Sequence, residues 1–325
     1  MTDRDRVRYV PIDILKAAAI IGVIWIHSFH RWGPPRFALQ PLSHLLTAFA
    51  VPAFFFASGF LHCGPAASQG SVIMRRAKRL LVPYFVASVA ALGYRHFLFH
   101  ETITVAGAFF DLVTGSAWGI YYFVPLLVGA AVVLPLFARS QWVAIALFVV
   151  FSIMALACEL GLVPLAPFWA LRNPAWWWGY YLAGWLAATY YGRVARLGKP
   201  GRHLIGFVIL GIIVIASTCT LFAPPRVWPG PYGAALRYLT IYSSIAAIVF
   251  LGFDASSRAA VRYLSEATYP IYLYHFFFTY TARQLSPYGE LTTDLLALIL
   301  GAVGSVTIVS LGRALLGRHA RLIIG

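Results

Sequence analysis

Three ionisable side chains stand within one apolar run of the sequence, PIDILKAAAIIGVIWIHSFH: Asp13, Lys16 and His27. An ionisable residue inside a membrane-length apolar stretch is costly to keep, so each is a candidate for chemistry. The eleven-residue step from Lys16 to His27 places them about 20° apart around a 3.6-residue helix and ~16 Å apart along it. Asp13 stands at i,i+3 from Lys16, one turn away on a neighbouring face. The run therefore presents one polar stripe, with an acid and a base near its start and an imidazole towards its end. Imidazole is the side chain best suited to proton transfer near neutral pH. The plainer reading pairs Asp13 with Lys16 at the interface and lets His27 reach interfacial water.

A second group is RRAKRLLVPY, residues 75–84. Arg76 and Arg79 share a helix face at i,i+3, an arrangement suited to phosphate groups as well as to plain interfacial anchoring. The segment FAVPAFFFASGFL carries Ala57, Ser58 and Gly59, small residues that permit close helix contact, and Pro52, a helix breaker near a cavity. His275 in YPIYLYHFFF is another embedded imidazole, either a structural hydrogen bonder or a catalyst. Trp176, Trp177 and Trp178 read as an interfacial belt. Cys63, Cys158 and Cys219 lack CxxC or His spacing, so no metal site is expected.

The elements that must position these residues follow from composition. Of 325 residues, 61% are hydrophobic and only 11% charged, against about 25% charged in a soluble domain. So few charges cannot clothe a water-soluble surface. The 16% aromatic content and three Cys fit neither collagen, disorder nor a disulfide scaffold. The chain reads as an all-α integral membrane protein with about ten transmembrane helices. They run near 10–29, 42–62, 81–99, 118–138, 142–162, 174–191, 204–223, 234–253, 267–281 and 294–316, each near the ~20 residues a span needs. Residues 1–325 read as one membrane-embedded domain, without an appended soluble domain. The first run continues past Lys16 without a cleavage site and reads as a retained span.

The net charge of +15 would point to nucleic acid in a soluble protein; here it reports topology, and no nucleic-acid partner is expected. With the N-terminus inside, one side collects Arg4, Arg6, Arg8, Arg75, Arg76, Lys78, Arg79, Arg139, Arg193, Arg196, Lys199, Arg202, Arg258, Arg262, Arg313, Arg318 and Arg321. The other side collects Arg31, Arg36, Arg95, Arg172, Arg226, Arg237 and Arg283, and Lys16 alone lies inside a span. The 17-to-7 bias places both termini in the cytoplasm.

Together these segments resemble the bacterial membrane acyltransferase 3 family, which O-acetylates cell-surface glycans and lipids. DILKAAAIIGVIWIH is similar to its first-helix signature, a basic residue followed by His, here Lys16 and His27. VPAFFFASGF resembles its Ser-Gly-Phe second helix, RAKR its Arg-x-x-Arg element at Arg76 and Arg79, AWGIYYFVPLL its aromatic fourth helix, and YPIYLYHFFF its late helix. Lys16 stands where Arg is more common in that family, which removes a bidentate fork. The resemblance implies a ten-helix core in a bacterial cytoplasmic (inner) membrane, with no permanently bound cofactor. It would use acetyl-CoA, or another acyl-CoA, as donor. The acceptor would be a polysaccharide, lipid-linked sugar or glycolipid, and membrane lipid the remaining partner.

It further implies that Arg76 and Arg79 hold the donor and that Ser58, Tyr122 and His275 contact substrate. His27 would be general base or transient acyl carrier, with Asp13 and Lys16 shaping the path or field between the two ends. A transporter or flippase for a lipid-linked glycan is the competing class, because an intramembrane Asp-Lys-His stripe also suits a proton relay. The lack of duplicated halves favours the enzyme.

Overall fold

Apolar runs fold as helices here because a helix satisfies its backbone hydrogen bonds within its own segment, the requirement that hydrocarbon imposes. The computed structural model describes residues 8–29, 40–63, 70–138, 140–222, 231–253, 255, 258–286 and 290–325, and among the described residues there is no strand. In chain order the helices are α1 (Val10–Phe29), α2 (Gln40–Thr47), α3 (Ala50–Leu61), α4 (Gly70–Phe99), α5 (Val105–Thr114), α6 (Phe123–Phe137) and α7 (Gln141–Glu159). They continue with α8 (Pro167–Ala170), α9 (Pro174–Ala195), α10 (Lys199–Phe222), α11 (Pro231–Gly252), α12 (Ala259–Leu285), α13 (Glu290–Leu316) and α14 (Ala320–Ile323). Arg4, Arg6, Arg31, Arg36, Arg139 and Arg226, which entered the charge count, lie outside the described residues.

Seven segments among the described residues are long and apolar enough to cross a membrane: α1, Leu42–Leu61, α4, α7, Lys199–Cys219, Gly233–Gly252 and α13. The protein is a multi-pass membrane protein. Helices also occupy the other three expected positions, but each differs from a plain span. α6 begins at Phe123 rather than near 118, because residues 118–122 form a turn. α9 and α12 are long but carry more polar side chains, and α12 extends well beyond the expected 267–281. α5 has no counterpart in the hydropathy pattern. It is capped by Thr104, whose hydroxyl accepts from Gly107 N, and stopped by Gly115 at φ 72°, a left-handed conformation that favours glycine.

The polarity of α12 has a packing reason. α1 packs against α3, α11, α12 and α13, while α12 packs against α1, α4 and α13. With neighbours on several sides, α12 buries Ser265, Thr268, His275 and Thr279 inside the bundle, the place where a membrane protein tolerates polar groups. α7, α10 and α13 show the opposite pattern, exposing Ile153, Phe207, Val208, Ile215, Ile299 and Val303 among others. Those are the side chains hydrocarbon would cover.

α3 and α9 pack with their backbones in close approach. A Cβ on Gly59 would lie 1.9 Å from the Tyr181 carbonyl oxygen, and one on Gly184 would lie 1.9 Å from that of Phe56. Each helix thus contributes a glycine where the other's backbone passes, the close contact expected of small residues at Gly59. The tryptophans of α9 are not a simple interfacial belt. Trp177 is buried, stacks on Phe55 at 5.6 Å and donates its indole N–H to Leu171 O, and Trp178 donates to Leu126 O.

Candidate functional site

The start of α1 is tied to α12 through a carboxylate. Asp13 accepts hydrogen bonds from Arg8 Nε at 2.6 Å and from Ser265 Oγ at 2.5 Å, while Arg8 Nη1 donates to Glu266 at 3.0 Å. Asp13 is therefore engaged by Arg8 and Ser265, in place of the simple Asp13–Lys16 pair that spacing permits. Lys16 lies in the combined field of Asp13 and Glu266, which favour its charge, and of Arg8 and Arg79, which oppose it. That field joins the acid and base of α1 to Arg79 of α4.

Those arginines stand on a continuous helix. α4 starts at Gly70, so RRAKR is helical and Arg76 and Arg79 keep their i,i+3 relation. His62, which caps α3, lies in the field of both arginines, and its Nδ1 is 3.3 Å from the Tyr181 hydroxyl on α9. Tyr181 in turn feels Arg76. Ser58 belongs to the same end, half-buried one turn before His62, whose backbone N–H it accepts. His62 and Tyr181 carry no sequence signal of their own; the α3–α9 contact brings them here.

Further along the bundle the two embedded imidazoles come together. His27 on α1 and His275 on α12 have ring centroids 5.2 Å apart at an interplanar angle of 37°. His275 is 0% exposed. Its Nδ1 lies 2.9 Å from Tyr272 O and 3.1 Å from Ile271 O; carbonyls only accept, so Nδ1 carries the proton and Nε2 presents a lone pair. That Nε2 is buried and has no hydrogen-bond partner among the described residues. Tyr121 fixes this stretch of α12 by donating to Leu273 O at 2.7 Å, and Tyr272 donates to Ile120 O. Tyr122, the neighbour singled out from sequence, turns instead towards Trp177, with ring centroids 5.7 Å apart.

α4 and α12 run in the same direction beside this pair. Tyr269 donates to Leu80 O near the arginines, and Tyr94 bonds Thr281 Oγ1 near the opposite end. Beyond Tyr94 lies a cleft of about 330 Å³ lined by Arg95, Phe99, Glu101, Trp118 and Tyr280 among others. Three levels thus follow one another along the bundle: guanidiniums and Lys16, then two imidazoles, then an aromatic cleft. Among the described residues no group of three or more His, Cys, Asp or Glu side chains could hold a metal ion.

The bundle brings a half-buried His27 against a buried His275, with half-buried Arg76 and exposed Arg79 at one end, groups suited to an enzyme of group transfer. A family profile described as an acyltransferase domain matches residues 10–313, and the chain belongs to the acyltransferase 3 family. It is a membrane acyltransferase, which selects the enzyme over the transporter. No curated protein and no solved structure matches the chain.

Proposed function

We propose that this acyltransferase moves an acyl group, acetyl in the first instance, from cytoplasmic acyl-CoA to a hydroxyl of a cell-surface polysaccharide, lipid-linked sugar or glycolipid. The observation that carries this reading is the ordering of the site along α1: the field shared by Lys16 and Arg79 at one end, and His27 against His275 ~16 Å further on by helix rise. A donor anchored by its phosphates at Arg76 and Arg79 reaches the imidazoles only by threading its pantetheine arm between the helices. The ADP moiety is polyanionic, and charge-assisted guanidinium bonds are the strong ones available to it. Ser58 would meet the donor at this end, with Asp13 and Lys16 setting the field along its path. Tyr122 would line the arm's course on its Trp177 side.

At the imidazoles the chemistry has two forms. In the first, His27 takes the acceptor's hydroxyl proton as its oxygen attacks the thioester carbon; the C–S bond breaks and the thiolate leaves with that proton. In the second, a His27 ring nitrogen attacks first, giving an acyl-imidazole and free CoA thiol, and the acceptor oxygen then displaces the imidazole. The hydroxyl's single proton goes to His27 in the first form, where the His275 Nε2 lone pair accepts from a neighbouring hydroxyl of the acceptor. In the second form it goes to His275 Nε2, and either role makes His275 a substrate-contacting group. On this reading the arginine end and both termini face the cytoplasm, in keeping with the excess of Lys and Arg on that side, and about ten spans cross a bacterial inner membrane.

The test is purified protein in lipid with radiolabelled acetyl-CoA. Wild type transfers label to acceptor or slowly hydrolyses the donor, His27→Ala abolishes both, and Arg76→Ala weakens donor binding in a folded protein. Turnover that survives His27→Ala removes His27 from the chemistry.

A further inference from the structure

The aromatic cleft beyond the imidazoles has no assigned role, and its chemistry is specific. Trp118 is held flat by stacking on Phe276 at 4.4 Å and 26°, and Tyr280 meets it edge-on at 5.3 Å. Phe99 stands edge-on to Tyr280 at 5.4 Å. Beside these rings is an ion-pair network: Arg95 Nε donates to Glu101 at 2.8 Å, and Arg95 Nη1 donates to Asp111 at 2.8 Å. One guanidinium thus faces two carboxylates, so the lining holds no unpaired positive charge for a phosphate or carboxylate ligand. The Glu101 side chain is 42% exposed, and a carboxylate has about four lone-pair sites, more than Arg95 uses.

We infer that this cleft binds one neutral sugar residue, with C–H faces against the aromatic rings and hydroxyl protons donated to Glu101. The volume of about 330 Å³ is at the lower end of the ~300–1,000 Å³ of ligand sites, room for a single ring rather than a chain. Aromatic faces beside fixed polar groups suit an amphiphilic ring that has apolar faces and a polar edge. Position gives the site its purpose. Phe276, under Trp118, directly follows His275, and Tyr280 lies five residues beyond His275 on α12, ~7.5 Å by helix rise. A sugar held here presents a hydroxyl towards the imidazole pair from the side opposite the arginines. Its role as acceptor rests on the acyl-transfer reading; its binding does not.

The experiment therefore measures binding directly. Saturation-transfer NMR is recorded on wild-type protein with methyl pyranosides of glucose, galactose, mannose, rhamnose and N-acetylglucosamine, and with glucuronate and glucose 6-phosphate for comparison. Gly119 lines the cleft, and a Cβ there meets no atom within 4 Å, so Gly119→Leu introduces an apolar side chain at the cleft from a position with open space around its Cβ. At least one neutral pyranoside is expected to show ring C–H saturation, weakened ten-fold or more in Gly119→Leu, while acetyl-CoA binding stays within two-fold of wild type. Glu101→Gln, a substitution of nearly equal shape at a half-exposed position, should weaken the same signal and carries the test if Gly119→Leu does not fold. No signal from any neutral pyranoside, a signal unchanged in both variants, or preference for the anionic sugars overturns the proposal. Pyranoside binding without acetyl-CoA binding would sink the donor reading and leave the sugar site standing.

Discussion

The His27 and His275 rings face each other across the α1–α12 contact, 5.2 Å between centroids, and His275 uses its Nδ1 proton on main-chain carbonyls of its own helix. A buried Nε2 with its lone pair held in place is a hydrogen-bond acceptor waiting for a donor, and nothing among the described residues supplies one. An orphaned buried acceptor costs about 1–3 kcal/mol, a cost a purely structural histidine would gain nothing by keeping. Replacement by an apolar residue of similar bulk, His275→Leu, should fold while losing ~10²-fold in kcat, the lower range of acid–base contributions. The donor KM should stay within about two-fold. Single-turnover transfer with saturating acetyl-CoA reads the difference, and a KM effect with unchanged kcat would assign His275 to binding alone.

The arginine end makes a separable prediction. Arg76→Ala and Arg79→Ala should each weaken acyl-CoA binding by about ten- to a hundred-fold, the equivalent of one lost charge-assisted contact. Lys at either position should recover part of that loss, because it restores the charge without the planar fork. Equilibrium binding of acetyl-CoA and of its 3′-dephospho analogue, at low and high salt, checks the assignment. Variants that bind both donors as wild type does, with turnover intact, would return these arginines to topology alone.

How far the sequence discloses this arrangement depends on whether a residue is marked by its own helix or by another one. Asp13, Lys16 and His27 stand out because each breaks an apolar run, and α1 keeps them on one continuous helix. Arg76 and Arg79 are legible from their spacing, although the helix carrying them starts eleven residues before the expected span. α12 was legible only in its middle. Its polar residues lower the hydropathy that marks a span, and they are polar because neighbouring helices, rather than lipid, surround them. His62 and Tyr181, and the Arg95–Glu101–Asp111 network, join residues distant in sequence or separated by a turn. No periodicity within one helix reports contacts of that kind. Tyr122 and Tyr121 show the limit at single-residue scale: the sequence reading takes Tyr122, whereas the turn at 118–122 carries its neighbour Tyr121 to α12.

The α3–α9 crossing should tolerate no side chain at its centre. Gly59→Ala and Gly184→Ala each place a Cβ against backbone, which cannot rotate away as a flexible side chain could. Overpacking of this kind costs about 1–3 kcal/mol and more when backbone must move. Both variants are expected to lower the thermal unfolding midpoint in detergent. Because the same crossing brings Tyr181 to His62 beside the arginines, they should weaken acetyl-CoA binding as well. Gly211, where a Cβ meets nothing within 4 Å, is the control, and Gly211→Ala should match wild type in both measurements.

Charge balance around Lys16 gives a prediction with a defined sign. The carboxylates of Asp13 and Glu266 offset Arg8, Lys16 and Arg79; Arg8 donates to both carboxylates, and Asp13 also accepts from Ser265. Asp13→Asn keeps the shape but removes one of the two negative charges beside Arg8, Lys16 and Arg79. The loss should be about 1–3 kcal/mol, the usual cost when a partly buried charged partner is removed. If the cause is uncompensated positive charge rather than a lost hydrogen bond, a second substitution that removes a cation must restore stability. Lys16→Met preserves the length and apolar stem of the side chain. The double variant Asp13→Asn/Lys16→Met should therefore unfold at a higher temperature than Asp13→Asn alone, although it carries one more substitution. Additive destabilisation in this cycle would assign the Asp13 contribution to its hydrogen bonds with Arg8 and Ser265, and would separate Lys16 from the network that anchors the start of α1.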